Sequence, residues 1–344
     1  MKAAFLYGKE DIRLEELFLP RMESHGLLIR VRACGICGSD IRVFFNGLTS
    51  RYINPVILGH EVCGEVVETG PDITEYTPGD LVGIAPIIPC MHCYPCSHGQ
   101  DNICQTAKVI GCNVHGAMGE YLYIPSQMVQ VGGVVKIPPG TKPREAALAE
   151  LVGCCLHGLH QMGISAGDKL MIIGGGPIGM TFVQLAKLMG ALVISSEPQE
   201  RRRQMAAELG ADETVDPTNT DLKARYGAML DRVIVATANV PATQQAFNLV
   251  RAGGSLLFFS GYLKGSIMEL QLNDVHYREL HIHGSIDCTI KDYQNAVALL
   301  PQLNMEKLVT NTFPLDQTAK GFYATRDPDE VKVIIEPEMN QPTA

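Results

Sequence analysis

The chain has no surplus of basic charge: 28 Lys and Arg stand against 37 Asp and Glu, a formal charge of -9. With no basic stripe to neutralise phosphates, a nucleic-acid partner is excluded. Although 46% of residues are hydrophobic, no unbroken apolar run approaches the roughly 20 residues of a membrane span. Met1-Lys2-Ala3-Ala4-Phe5 leads into charged residues and not into an apolar signal core. Internal repeats and low-complexity runs are missing too. The expectation is a cytoplasmic protein without a membrane partner.

What is plentiful is cysteine, eleven in 344 residues. A disulfide scaffold belongs to short secreted chains that cannot build a core, whereas this length suggests two domains with a core each. Metal binding explains the count better. Cys34, Cys63, Cys112, Cys154, Cys155 and Cys288 fall outside the metal sets below and are expected to be buried small hydrophobes.

One metal set lies between Cys34 and Glu61. Cys37-Gly38-Ser39-Asp40 and Gly59-His60-Glu61 supply a thiolate, an imidazole and carboxylates in one short segment. These are the ligands of a zinc ion that keeps one position open for substrate. Cys37 and His60 are the firmest candidates, and Glu61 either ligates or sits behind the metal. Ser39 is near enough to bond an oxygen on it, and Asp40 can orient the His60 ring. The second set is Cys90-x2-Cys93-x2-Cys96-x7-Cys104. Four thiolates close a tetrahedral shell and leave no place for substrate, so that zinc is structural; His92 and His98 are surplus to it.

Up to about residue 145 the pattern is β-rich, with short strand-like runs such as Leu27 to Val31, Val62 to Glu68 and Glu120 to Ile124 between turns, which predicts a barrel-like domain. Pro143 to Glu150 starts a helix, and Glu150 interrupts an apolar stretch, as an acid does when it is partnered or faces a cleft. From about 166 strands and helices alternate. Lys169 to Ile173 reads as a strand, Gly174-Gly175-Gly176-Pro177-Ile178-Gly179 follows, and Pro177 to Met189 as a helix. The next strand, Leu192 to Ser196, ends at Glu197, 18 residues past Gly179. This is the context of a dinucleotide fingerprint: Gly174 for the turn, Gly176 for close approach of pyrophosphate, Gly179 for helix–strand packing, with Pro177 and Ile178 opening the helix. Glu197 suits the adenosine ribose hydroxyls and favours NAD over NADP, while Arg202, flanked by Arg201 and Arg203, is a cofactor-binding candidate that could instead cradle the 2′-phosphate of NADP. Six parallel strands fit the span, a helix near Ala242 to Val250 precedes a Gly253-Gly254 turn and a strand Ser255 to Ser260, and the tail from 288 is expected to rejoin the first domain.

Zinc with an open position polarises an oxygen ligand, and a nicotinamide accepts hydride. Together they imply interconversion of an alcohol and a carbonyl compound. In these motifs the chain resembles the zinc-containing medium-chain dehydrogenases over essentially its whole length. It is most similar to their polyol and L-threonine dehydrogenase branch, which includes sorbitol, L-idonate and galactitol-phosphate enzymes. The resemblance implies an α/β protein: a GroES-like β-barrel catalytic domain over 1–148, a Rossmann NAD-binding domain with a doubly wound six-stranded parallel sheet over 149–287, and a return to the catalytic domain over 288–344. It also implies two zincs per chain, Cys37, His60 and either Glu61 or Glu150 as ligands of the catalytic one, a small alcohol or polyol as substrate, and a homodimer or homotetramer.

Relatives often carry a histidine proton relay five residues past the ligand cysteine. Here that residue is Arg42, which cannot act as a base. Arg42 and Arg51 instead hint at a phosphorylated or acidic substrate, or at cofactor contacts. Alternatives are an L-threonine 3-dehydrogenase-like or general alcohol dehydrogenase, a zinc-free hydride transferase of the quinone-reductase type, and a zinc- and NAD-binding protein without catalysis.

Overall fold

The computed structural model describes residues 1–19, 22 and 25–338, and counts below refer to them. Contacts divide the chain into two units, one of residues 1–153 and 288 onward, the other of residues 154–287.

The first unit is built on β1, Leu27–Gly35, whose residues Leu27, Ile29, Val31, Ala33 and Cys34 are fully buried. Strand β2, Glu61–Thr69, runs antiparallel along its whole length, with Leu27 opposite Thr69 and Gly35 opposite Glu61. That register decides the site. The residue pair beyond Gly35 and the residue before Glu61 emerge at the same end of the sheet, so Cys37 and His60 become neighbours. Strands β3, Leu81–Ile84, β4, Tyr121–Ile124, and β5, Val134–Lys136, extend the sheet, β4 pairing with the first half of β1. Between β1 and β2 lies α1, Gly38–Asn46, which buries Asp40, Val43, Phe44 and Phe45. Helix α2, Ala149–Met162, begins in this unit and carries Glu150 in its first turn.

The second unit is a six-stranded sheet, parallel throughout. Its strands are β6 (Lys169–Ile173), β7 (Leu192–Ser196), β8 (Glu213–Val215), β9 (Leu230–Val235), β10 (Val250–Phe258) and β11 (His281–Gly284). The spatial order is β8-β7-β6-β9-β10-β11. The order reverses between β6 and β9, the switch point at which doubly wound sheets bind nucleotides. Helix α3, Pro177–Leu188, follows β6, and α4, Val240–Leu249, precedes β10. The expected Gly253-Gly254 turn is instead part of β10, which starts at Val250; the pairing with β9 shifts register there and Gly253 takes φ +69°. Buried Met171, Val233, Val235, Phe247 and Leu256 form its core.

The tail then contributes α5, Ile290–Leu299, and strands β12, Val309–Phe313, and β13, Lys332–Ile335. Strand β13 pairs antiparallel with the end of β1, Ile334 opposite Gly35. Gly35 therefore faces Glu61 on one side and β13 on the other.

In the second unit the closest approach is at Gly179, where an added Cβ would sit 1.8 Å from the Gly174 carbonyl oxygen. Backbone cannot yield as a side chain does, so Gly179→Ala should cost at least about 2 kcal/mol and lower the melting temperature measured by calorimetry. An unchanged melting temperature would show that the strand–helix junction tolerates the separation.

Candidate active site and cofactor cradle

In the first unit Cys37 caps α1 and Asp40 lies one turn in, 2% exposed. The Asp40 carboxylate faces both candidate metal ligands. Its Oδ2 accepts from the Cys37 backbone N–H at 3.0 Å, and its Oδ1 lies 3.6 Å from His60 Nδ1. His60 in turn bonds the Cys37 side chain. Burial works against a charged His60 ring, but Asp40 and Cys37 outweigh it and hold the pKa well above the ordinary value. A metal taken up here would displace that proton, which couples affinity to pH. Ser39 is half-buried in the first turn of α1.

The two candidate acids have different surroundings. Glu61 is 1% exposed and its Oε1 accepts from Lys332 Nζ at 2.6 Å. Its Oε2 is buried without a hydrogen-bond partner among the described residues, an acceptor that a cation would satisfy. Lys332 is 4% exposed on β13 and also donates to the Ile36 carbonyl at 3.1 Å. Burial disfavours its charge, yet Glu61, Cys37 and Glu150 together raise its pKa above the usual lysine value. Glu150 is 6% exposed, and its charge, like those of Glu61 and Cys37, reaches the buried ammonium. Neither acid closes a tight ligand group with Cys37 and His60; among the described residues only the four-cysteine set gathers its ligand atoms within 4.8 Å of one another. The lysine competes for Glu61, and sequence reading missed it. The signal was a lysine inside the apolar run Val331 to Ile335.

That four-cysteine set is Cys90, Cys93, Cys96 and Cys104. Backbone N–H groups of Cys90 and Cys93 donate to Cys104 Sγ and Cys90 Sγ, each at 3.3 Å, which suits anionic sulfur. Backbone donors, first that of His92, pull the Cys90 pKa down to about 5, while burial pushes Cys96 up to about 12. Four sulfurs at this spacing fit zinc. Nδ1 of His92 and Nδ1 of His98 meet the carbonyls of Cys90 and Tyr94, at 2.7 and 2.8 Å. The other six cysteines are all buried, and none forms a disulfide among the described residues.

In the second unit Gly174 has φ +107°, a conformation that a side chain disfavours. Gly176 is the N-cap of α3, and an added Cβ there meets nothing within 4 Å, so the mouth of the loop is open where a diphosphate would approach. Pro177 and Ile178 form the first turn of α3. Glu197 follows β7, is 6% exposed, and accepts from the N–H of Gly175 at 2.7 Å and of Gln199 at 3.0 Å. Arg203 is tied to the carbonyl of Glu197 at 2.9 Å and to Asp216 at 3.5 Å. Arg202 lies on the helix after β7, Glu200–Glu208, and has a partner of its own within the protein.

Removing one member of the Lys332–Glu61 pair leaves a buried charge unmatched. Lys332→Met should therefore cost about 3–5 kcal/mol, whereas the double variant Glu61→Gln with Lys332→Met should recover much of the loss in denaturant unfolding. Additive losses would show that the two side chains do not stabilise each other.

Comparison with known proteins gives the same picture. Residues 23–139 match the model of the alcohol dehydrogenase GroES-like domain, and residues 177–302 that of the zinc-binding dehydrogenase. The chain is 32% identical to an L-galactonate-5-dehydrogenase of Escherichia coli (strain K12), covering 86% of each chain. It is 30% identical to a D-arabitol-phosphate dehydrogenase of Enterococcus avium, over 96% of this chain and 95% of that one. A solved structure from Sinorhizobium meliloti 1021 with NADP bound superposes with a TM-score of 0.91 at 32% identity, over 98% of this chain and 99% of the other. With its barrel strands, its thiolate clusters and its glycine cradle accounted for, the chain belongs to the zinc-containing medium-chain dehydrogenase family.

Proposed function

We propose that the protein interconverts a secondary alcohol of a polyol, sugar acid or sugar-alcohol phosphate and the corresponding ketone, with NAD as hydride carrier. The observation that carries this reading is the meeting of Cys37 and His60 over one buried aspartate in a chain that also holds the Gly174–Gly179 cradle. Zinc held by Cys37, His60 and one of Glu61 and Glu150 would polarise the substrate oxygen, and a bound nicotinamide would take the hydride. The chain's own residues do the rest. Asp40 fixes the His60 ring and the Cys37 backbone together. Lys332 holds one Glu61 oxygen and aims the carboxylate, and the unsatisfied Glu61 Oε2 favours Glu61 over Glu150 as third ligand. Ser39, two residues past Cys37, would accept a hydrogen bond from the substrate hydroxyl; Arg42, where relatives have a histidine, cannot act as the base that carries the proton to solvent.

Two relatives are named for an acidic and a phosphorylated polyol substrate, which supports that substrate range here. NAD is favoured over NADP because Glu197 puts a carboxylate at the end of β7, where a 2′-phosphate would be repelled. A cytoplasmic location fits thiolate sites that must stay reduced, and no helix among the described residues is long and apolar enough to cross a membrane. Self-association is supported by the open edge of the sheet at β11 and by exposed Leu263, Ile267, Leu272 and Tyr277 in the stretch that joins β10 to β11.

Zinc-loaded protein should form NADH with polyol or sugar-acid substrates. Cys37→Ser should lower turnover by more than about a thousandfold and leave the four-cysteine zinc bound, and Glu197→Ala should erode the NAD-over-NADP ratio of kcat/KM by at least about tenfold. Turnover retained in Cys37→Ser would refute the zinc site, and a constant cofactor ratio the role of Glu197. Sedimentation should give the mass of a dimer or tetramer; a monomer at micromolar concentration would remove the self-association.

A further inference from the structure

We propose that Arg51 is the specificity residue of this site and binds an anionic group, carboxylate or phosphate, carried by the substrate away from the reacting carbon. The inference rests on the dehydrogenase reading above and narrows its substrate class.

Arg51 sits in the segment between α1 and the Gly59-His60-Glu61 corner. Three bonds hold that segment in place. The Tyr52 N–H donates to the Thr49 carbonyl at 3.0 Å, the Ile53 N–H to the Cys112 carbonyl at 3.0 Å, and the Cys112 thiol to the Arg51 carbonyl at 3.3 Å. The Arg51 backbone is therefore fixed while its side chain is exposed. Neighbouring Tyr52 links this loop to the metal pair. Its half-buried phenol bonds Cys112 and lies within the electrostatic reach of Arg51 and of both Asp40 and His60. An anion on Arg51 and an oxygen at the Cys37–His60 pair thus belong to one small region of the first unit.

The guanidinium itself is uncommitted. Arg13, Arg32, Arg144, Arg203, Arg232 and Arg251 each pair with a carboxylate, but the Arg51 guanidinium has no ion pair or hydrogen bond among the described residues. Arg42, by contrast, already has an interaction within the protein. In a chain of net charge -9 the long-range field repels anions, so an anionic substrate needs a local cation, and the planar fork of arginine matches carboxylate and phosphate oxygens.

The test compares three substrates of equal carbon skeleton with the zinc-loaded full chain: a neutral hexitol, the corresponding hexonate and the hexitol phosphate. The wild type should prefer one anionic form. Arg51→Ala should reduce the anionic-over-neutral ratio of kcat/KM about 10- to 100-fold, chiefly through KM, as expected for loss of a charge-assisted bond. Arg51→Lys should restore part of it, and added salt should shrink the ratio in the wild type. Whichever anion carries the ratio identifies the source. A wild type that prefers the neutral hexitol, or an Arg51→Ala ratio equal to the wild type's, overturns the proposal. Calorimetric titration with inorganic phosphate separates the two readings. Phosphate binding weakened about tenfold in Arg51→Ala, without turnover on any substrate, would keep the anion site and sink the dehydrogenase reading. Binding equal in both proteins, with no turnover, would sink the Arg51 assignment.

Discussion

A lysine from the last strand is buried against the carboxylate beside His60, 271 positions earlier in the chain. Much of the first unit answers to that contact. Lys332 can reach Glu61 only because β13 pairs with the end of β1 and because Gly35 leaves no side chain between them; an added Cβ would sit 1.9 Å from Glu61 Oε2. The pair is costly to bury and is stabilised only while both charges and the Ile36 carbonyl are in place. The return of the chain to its first unit is thus tied to the electrostatics of the Cys37–His60 site, and a disturbance of the tail is felt there.

Asp40 is the second constraint. One carboxylate meets a backbone N–H of one metal-ligand candidate and the ring of the other, so the pair is oriented before any metal arrives. The four-cysteine lobe achieves orientation differently, with backbone N–H groups aimed at sulfur. The first arrangement brings two ligand candidates together, and the second gathers four sulfurs within 4.8 Å of one another, enough to fill a tetrahedral shell. That contrast is the physical basis for assigning chemistry to one and rigidity to the other.

Local motifs were readable because their chemistry is local. The spacing of Cys90, Cys93, Cys96 and Cys104 brings four sulfurs together within one loop. The run from Gly174 to Gly179 sits at a strand–helix junction, and Glu197 follows one helix and one strand later, so the order of elements alone brings the carboxylate to the end of the neighbouring strand; its bond from the Gly175 N–H was visible only in the structure. Strand and helix types were legible for the same reason, from alternation and from caps. Less legible was the β10 bulge, where glycines inside a paired strand imitate a turn.

By itself, then, the sequence determined the α/β class, the four-cysteine set, the glycine-rich strand–helix junction and the family to which they belong, since each rests on residue types at short spacings. Tertiary structure alone decided that Lys332 pairs with Glu61, that Glu150 lies within electrostatic reach of the same buried ammonium, and that the Arg51 guanidinium has no ion pair among the described residues. Those facts depend on strand register and on contacts between residues hundreds of positions apart, where long-range pairing and burial set the balance of charges and no local pattern records it.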